Sequence, residues 1–236
     1  MRLRGLEQLD DPRKGGVNMN LVFVALLLTA PAQEKNEAEE LYRKMEKQLT
    51  AAKTLQVSFE MDIPSDKGGK FKGILWLADG NKLRMDISGE MAGQKVKLEI
   101  VSDGTKLKAS GSEMPKPMEQ ATQKKLKDNV VTVMTRAGLF AGLFFPIIIT
   151  DPEEQPKELD ADAMFGVSEF KLGPKEKIGQ QEAQVLEYTL TLTEAGRKKL
   201  MSVSVWLDAK TNLPLQRVLL VQEYSGPRKL DHRLSY

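Results

Sequence analysis

Between residues 34 and 52, Ala38, Leu41, Tyr42, Met45, Leu49 and Ala52 recur at spacings of three and four. That period places them on one stripe and predicts an amphipathic helix. Glu39 with Arg43 and Glu40 with Lys44 are acid-first i,i+4 pairs on its wet side. The period then drops to two. Leu55, Val57, Phe59, Met61 and Ile63 alternate with Gln56, Ser58, Glu60 and Asp62, which predicts a strand with one apolar and one wet face. Residues 65–69 predict a turn. Phe71 to Ala78 predicts a second strand, apolar on both faces around Ile74-Leu75-Trp76-Leu77. Asp79-Gly80-Asn81 is a hairpin signal. Leu83, Met85 and Ile87 alternate onward, as do Val96, Leu98 and Ile100. Asp103-Gly104 turns the chain into Thr105–Ala109. The prediction is an antiparallel meander with its apolar side chains on one face.

Pro115 and Pro117 interrupt the meander. Residues 118–137 predict a helix with Leu126, Val130, Val133, Met134 and Ala137 as its apolar stripe and Lys124, Lys125, Lys127 and Asp128 on the wet side. Leu139 to Ile149 follows, very apolar, divided by Pro146 and too short to span a bilayer. Asp151 to Asp162 predicts an acidic loop. More strands come next: Leu186, Tyr188, Leu190 and Leu192 alternate, as do Met201, Val203, Val205 and Leu207. Residues 208–214 predict a turn, Leu215 to Gln222 a returning strand, and Leu230 to Tyr236 a final edge strand.

So many strands must bury their apolar faces, and one long sheet does so by curling around helices or a cavity. The fold class expected is α+β: a single curved antiparallel sheet, an unclosed barrel, with helices covering its concave face. Such a sheet leaves a concave surface lined by Leu, Val, Ile, Met and Phe. The expected lining is Val57, Phe59, Met61, Leu75, Leu77, Met85 and Leu98 from the sheet and Val130 and Met134 from the helix. Phe140 and Phe144, near Gly142, supply a movable lid or else pack permanently into the core. Met61, Met85, Met91, Met114, Met118, Met134, Met164 and Met201 fall at or near apolar positions. Methionine adapts to variable shapes, so these residues suit a cavity for flexible acyl chains or serve as ordinary core fillers.

Composition narrows the chemistry. Leu21 to Leu28 is an unbroken apolar run, followed by Ala30 and Ala32 at the small-residue positions of a cleavage site. The expectation is a signal peptide and extension over residues 1–32 and one domain over 33–236, exported to the periplasm. The start codon is Met1 or Met19. The absence of cysteine removes disulfides, thiol nucleophiles and lipidated cysteine. A net charge of +2 with interspersed signs argues against a nucleic-acid partner. The one histidine, His232, is expected to be solvated on an edge strand. No nucleophile–base–acid set, phosphate cradle or metal motif stands out, and Asp160, Asp162, Glu153, Glu154 and Glu158 lack calcium-loop spacing. Neither an enzyme nor a cofactor is expected.

Four segments resemble a known family. Gly73-Ile74-Leu75-Trp76 through Met85 resembles a hairpin of the outer-membrane lipoprotein carrier (LolA-like) family. Val101-Ser102-Asp103-Gly104-Thr105-Lys106-Leu107 resembles another of its hairpins. Met118 to Asp128 is similar to its lid-helix region, and Val205 to Leu215 to its late strand–turn–strand. They occur in the family's order within residues 34–225. The resemblance implies an unclosed barrel whose cavity takes lipid or lipoprotein acyl chains in outer-membrane lipoprotein sorting, with membrane-associated donor or acceptor proteins as partners. Relatives of that fold imply the alternative, an envelope sensor or interaction domain that binds a protein in anti-sigma-factor regulation. The chain departs from the carrier pattern at Ala78-Asp79-Gly80, where carriers have an arginine–proline pair.

Overall fold

The computed structural model describes residues 36–63, 69–112, 114–138, 160–194, 196–223 and 226–235. The expected signal segment, the residue 65–68 part of the first turn, the apolar run from Leu139 and the lid phenylalanines lie outside these residues.

Helix α1 (Glu37–Ala51) starts where Asn36 can cap it. The Asn36 side chain accepts from the backbone amides of Ala38 and Glu39 at 3.1 and 3.3 Å. Glu37, Glu39 and Glu40 in the first turn complement the positive end of the helix dipole. Then come β1 (Thr54–Ile63), β2 (Gly69–Ala78), β3 (Lys82–Met91), β4 (Gln94–Asp103), β5 (Lys106–Gly111) and β6 (Met118–Ala121). Helix α2 (Leu126–Arg136) and the single turn α3 (Ala161–Met164) precede β7 (Phe165–Ile178), β8 (Gln181–Glu194), β9 (Arg197–Asp208), β10 (Pro214–Glu223) and β11 (Gly226–Ser235).

The eleven strands among the described residues form one antiparallel sheet, in the order β6-β5-β4-β3-β2-β1-β11-β10-β9-β8-β7. Two meanders are joined where the first strand pairs with the last, with Phe59 opposite Leu234 and Met61 opposite His232. The sheet is curved and open between β6 and β7. The β2–β3 turn is of the kind its residues predict, with Gly80 and Asn81 both at positive φ, 78° and 57°.

Alternation delivers one face of the sheet to the core. Val57, Leu75, Met85 and Ile100 form one rung across β1 to β4 and are 0–2 % exposed. Helix α1 adds Ala38, Tyr42, Met45 and Leu49, and α2 adds Leu126, Val130, Val133 and Met134, to the same apolar cluster.

Several expectations are corrected. The helix expected from 118 begins only at Leu126, because Met118–Ala121 pairs with β5, and Glu119 bridges to Lys106 and Lys108 there. Strand β11 is central, paired on both sides, so His232 is not on an edge. Strand β7, fourteen residues long, was not expected at all. Met91 is 44 % exposed, against its expected apolar surroundings.

Candidate functional site

The expected lining residues divide into three groups. Val57, Phe59, Leu75, Leu77, Met85, Leu98, Val130 and Met134 meet in the one cluster between sheet and helices, each 8 % exposed or less. Met61 is buried outside that cluster, and Phe140 and Phe144 lie outside the described residues. In this structure the first eight side chains are part of the packed core between the sheet and the helices.

Helix α2 is fastened at both ends by polar groups from distant strands. At its start, Lys125 stands at the cap position without a side-chain cap. The Asn81 amide in the β2–β3 turn substitutes. Its Oδ1 accepts from Lys127 N at 3.2 Å and its Nδ2 donates to the Lys124 carbonyl at 2.7 Å. The Lys127 ammonium reaches back to the carbonyl of Ala52 at 2.7 Å and to Asp79. It thereby places a cation at the end of α1, which has no basic residue in its last turn.

At its far end, α2 exposes orphan carbonyls to the core, and two β-strand side chains take them. Arg217 of β10, fully buried, donates from both terminal nitrogens to the carbonyls of Met134 and Thr135. Tyr188 of β8 donates its hydroxyl to the carbonyl of Arg136 at 2.6 Å. Arg136 in turn donates from Nε to Glu46 of α1 at 2.9 Å and from Nη1 to the Phe165 carbonyl of β7 at 2.7 Å, and pairs with Asp162 at 2.6 Å. Burial opposes the charge of Arg136, yet Glu46 holds its pKa above the ordinary value. Burial pushes the phenols of Tyr42 and Tyr188 upward. Sequence reading missed Arg217 because β10 is apolar on both faces, so alternation does not say which way residue 217 points.

Clefts open to solvent include the following two. The larger, about 880 Å³, crosses the middle of β1 to β5. Ten of its fifteen lining residues make two complete rungs on the face turned away from the core: Ser58–Ile74–Asp86–Glu99–Ser110 and Glu60–Lys72–Ser88–Lys97–Ser112. The other five, Phe59, Gly73, Ile87, Leu98 and Gly111, are the core-facing rung between them. Of the expected lining, Phe59 and Leu98 alone border this cleft. Gly73 is required there: a Cβ would come within 2.5 Å of the Phe59 ring and of the Asp86 carbonyl oxygen. The smaller cleft, about 600 Å³, lies between α1, α2 and the start of α3, with Arg43, Lys47, Lys125, Asp128 and Asp160 on its walls.

Of the acidic loop, Asp160 caps α3 and Asp162 is the partner of Arg136. No cluster of three metal-ligating side chains occurs among the described residues. None of the described helices is long and apolar enough to cross a membrane.

No protein-family model and no curated protein matches the chain. Solved structures do. MucB aligns over 84% of this chain and 58% of its own, at 14% identity and a TM-score of 0.42. A LolA superfamily protein from Nitrosomonas europaea aligns over 84% of this chain and 91% of its own, at 10% identity and 0.35. The hypothetical lipoprotein YmcC from Escherichia coli aligns over 84% and 91%, at 9% and 0.32. The chain spans little more than half the length of MucB. By its own strand order the fold of this chain is α+β, a single unclosed antiparallel sheet with helices packed on one face.

Proposed function

We propose that this chain is an exported binding protein that carries no chemical step and takes the acyl chain of a lipid or lipoprotein into the seam between α2 and the concave sheet. One observation supports the reading: eight side chains marked as apolar lining, including Met85 and Met134, belong to one buried cluster between the sheet and the helices, and α2 is fastened at both ends by polar contacts. The packed form is the closed one. Burying acyl chain is worth about 0.8 kcal/mol per CH₂, while each anchoring hydrogen bond contributes about 1 kcal/mol net. A chain of ordinary length therefore competes with the anchors once it replaces the apolar contacts of α2.

Because the chain has no cysteine, a lock can be built without background. Asn81→Cys with Lys127→Cys joins the β2–β3 turn to α2, where the side chain of Asn81 already meets the backbone of Lys127. Oxidised, this variant should take up no acyl lipid from envelope extracts by native mass spectrometry, and reduction should restore uptake. Equal uptake in both states would sink the reading.

The alternative is a sensor or interaction domain with a protein partner. The charged walls of the cleft between α1 and α2 favour it. It predicts an empty seam and a stoichiometric protein ligand in the same spectra.

A further inference from the structure

The outward cleft across β1 to β5 plays no part in the seam reading, yet its side chains are arranged to hold a ligand. On one rung, Lys72, Ser88 and Lys97 stand on three adjacent strands, and their side chains have no partner among the described residues. Adjacent strands lie about 4.8 Å apart. The two lysine Cα atoms are therefore about 10 Å apart, and their long side chains can meet over the Ser88 hydroxyl between them.

Two of the nearby acids are engaged, while Glu60 and Glu90, on the same and the next rung, form no salt bridge among the described residues. Arg84 binds Asp86 at 3.0 Å and Glu99 at 2.9 Å, which are the two carboxylates of the neighbouring rung. Glu60 flanks Lys72 at the end of its own rung, outside salt-bridge distance, while the hydroxyl of Ser112 lies beyond Lys97.

An apolar track leads away from this point. Down the outward face of β2, Lys72 is followed by Ile74 and Trp76, both half-buried. Val101, 37 % exposed, shares the rung of Trp76 across Arg84. Four residues of strand span about 13 Å, the reach of an alkyl chain of ordinary length.

We infer that this cleft binds a single-chain amphiphile, its phosphate or carboxylate head held by Lys72, Ser88 and Lys97 and its alkyl chain laid along Ile74 and Trp76. The site is distinct from the α2 seam, and its occupancy does not require the helix to move.

Trp76 is one of two tryptophans, so Trp206→Phe leaves it as the only fluorescent reporter of this kind. That protein is titrated, below micelle concentration, with dodecyl phosphate, laurate, dodecyl maltoside and inorganic phosphate. An anionic amphiphile should bind at least tenfold more tightly than dodecyl maltoside. Lys72→Gln with Lys97→Gln should remove that preference, leaving the urea midpoint unchanged. Which anionic probe binds better identifies the head. Equal affinity for the neutral probe, no binding, or binding indifferent to the two lysines overturns the inference. Should Trp206→Phe fail to fold, amide shifts at Ser88 and Lys97 in the unaltered chain give the same readout. The cysteine lock on α2 should leave this binding intact, so failure here and failure of the seam reading are separable.

Discussion

The Nη2 group of Arg217 donates to the carbonyl oxygen of Thr135 at 2.6 Å, joining β10 to the last turn of α2 across 82 positions of sequence. Its Nη1 takes the Met134 carbonyl beside it. A guanidinium has the right fork for two adjacent carbonyls, of which Met134 also accepts from the Gly138 amide at 3.1 Å, and the helix C-terminus is where a cation is favoured. The same group has a cost, since Arg217 is fully buried and its Nε finds no partner. Arg217→Met keeps the volume and removes the donors. It should leave the Thr135 carbonyl unmet, while Met134 keeps the Gly138 amide, and lower stability by about 1–3 kcal/mol. In hydrogen exchange, the loss should concentrate in the amides of residues 133–138. Uniform loss of protection would show that the arginine supports the sheet rather than the helix end.

The start of α2 makes a second prediction. Asn81 has two jobs: it adopts φ 57° in the β2–β3 turn and caps a helix 46 residues later. Asn81→Gly keeps the backbone conformation and loses the cap, worth about 1 kcal/mol. Asn81→Ala loses the cap and adds a left-handed alanine, about 1–2 kcal/mol more. Urea unfolding should rank the two in that order. Equal losses would mean that the left-handed backbone costs alanine nothing here, and no loss in Asn81→Gly would mean that the cap contributes nothing.

These two residues show what the sequence made legible. The hairpin at Asp79-Gly80-Asn81 was plain from local turn chemistry, as were β1, β3 and β4 from strict alternation. That Asn81 also caps α2 is a long-range fact with no local signal. Strand β7 was hidden because bulges break its period. Phe165 and Phe170 are both buried although five residues apart, and Glu169 between them has φ 57°. Met118–Ala121 carries helix-forming residues, and pairing with β5 overrides them. The apolar members of the seam were readable from period: those on the sheet are the inward half of an alternating pattern, and Val130 and Met134 lie on the apolar stripe of α2. The outward cleft was not, because its residues are ordinary wet-face positions until register sets Lys72, Ser88 and Lys97 side by side.

The β4–β5 turn should respond to acid. Asp103 accepts hydrogen bonds from Lys106 N at 2.8 Å and from the amide and hydroxyl of Thr105, both at 2.7 Å. These bonds favour the carboxylate and hold its pKa down to about 2, against an ordinary 3.8. The folded state therefore binds this proton less readily than the unfolded chain. The stabilisation is full above about pH 4 and is lost as pH falls through about 2. The gap in melting temperature between the unaltered protein and Asp103→Asn should be constant from neutral pH to about 5 and close by about pH 2. A gap that persists in acid would assign the effect to the amide's geometry instead of the charge.

Two buried tyrosines side by side should differ in what their hydroxyls contribute. The rings of Tyr42 and Tyr188 meet edge to face at 5.1 Å, and Phe170 lies 5.0 Å from Tyr42. The Tyr188 hydroxyl donates to the Arg136 carbonyl at 2.6 Å, whereas the Tyr42 hydroxyl is buried without a partner. Phenylalanine at either position keeps the ring contacts and removes only the oxygen. Tyr188→Phe strands a carbonyl at the end of α2 and should cost about 1–2 kcal/mol. Tyr42→Phe removes an unmet polar group from the core and should be neutral within about 0.5 kcal/mol, or stabilising. The comparison isolates the hydrogen bond, because desolvation and ring packing nearly cancel between the two sites. Urea midpoints of both variants decide it. If Tyr42→Phe loses as much as Tyr188→Phe, the Tyr42 hydroxyl has a partner in solution, and the polar fastening of the helices reaches further into the core than α2 alone.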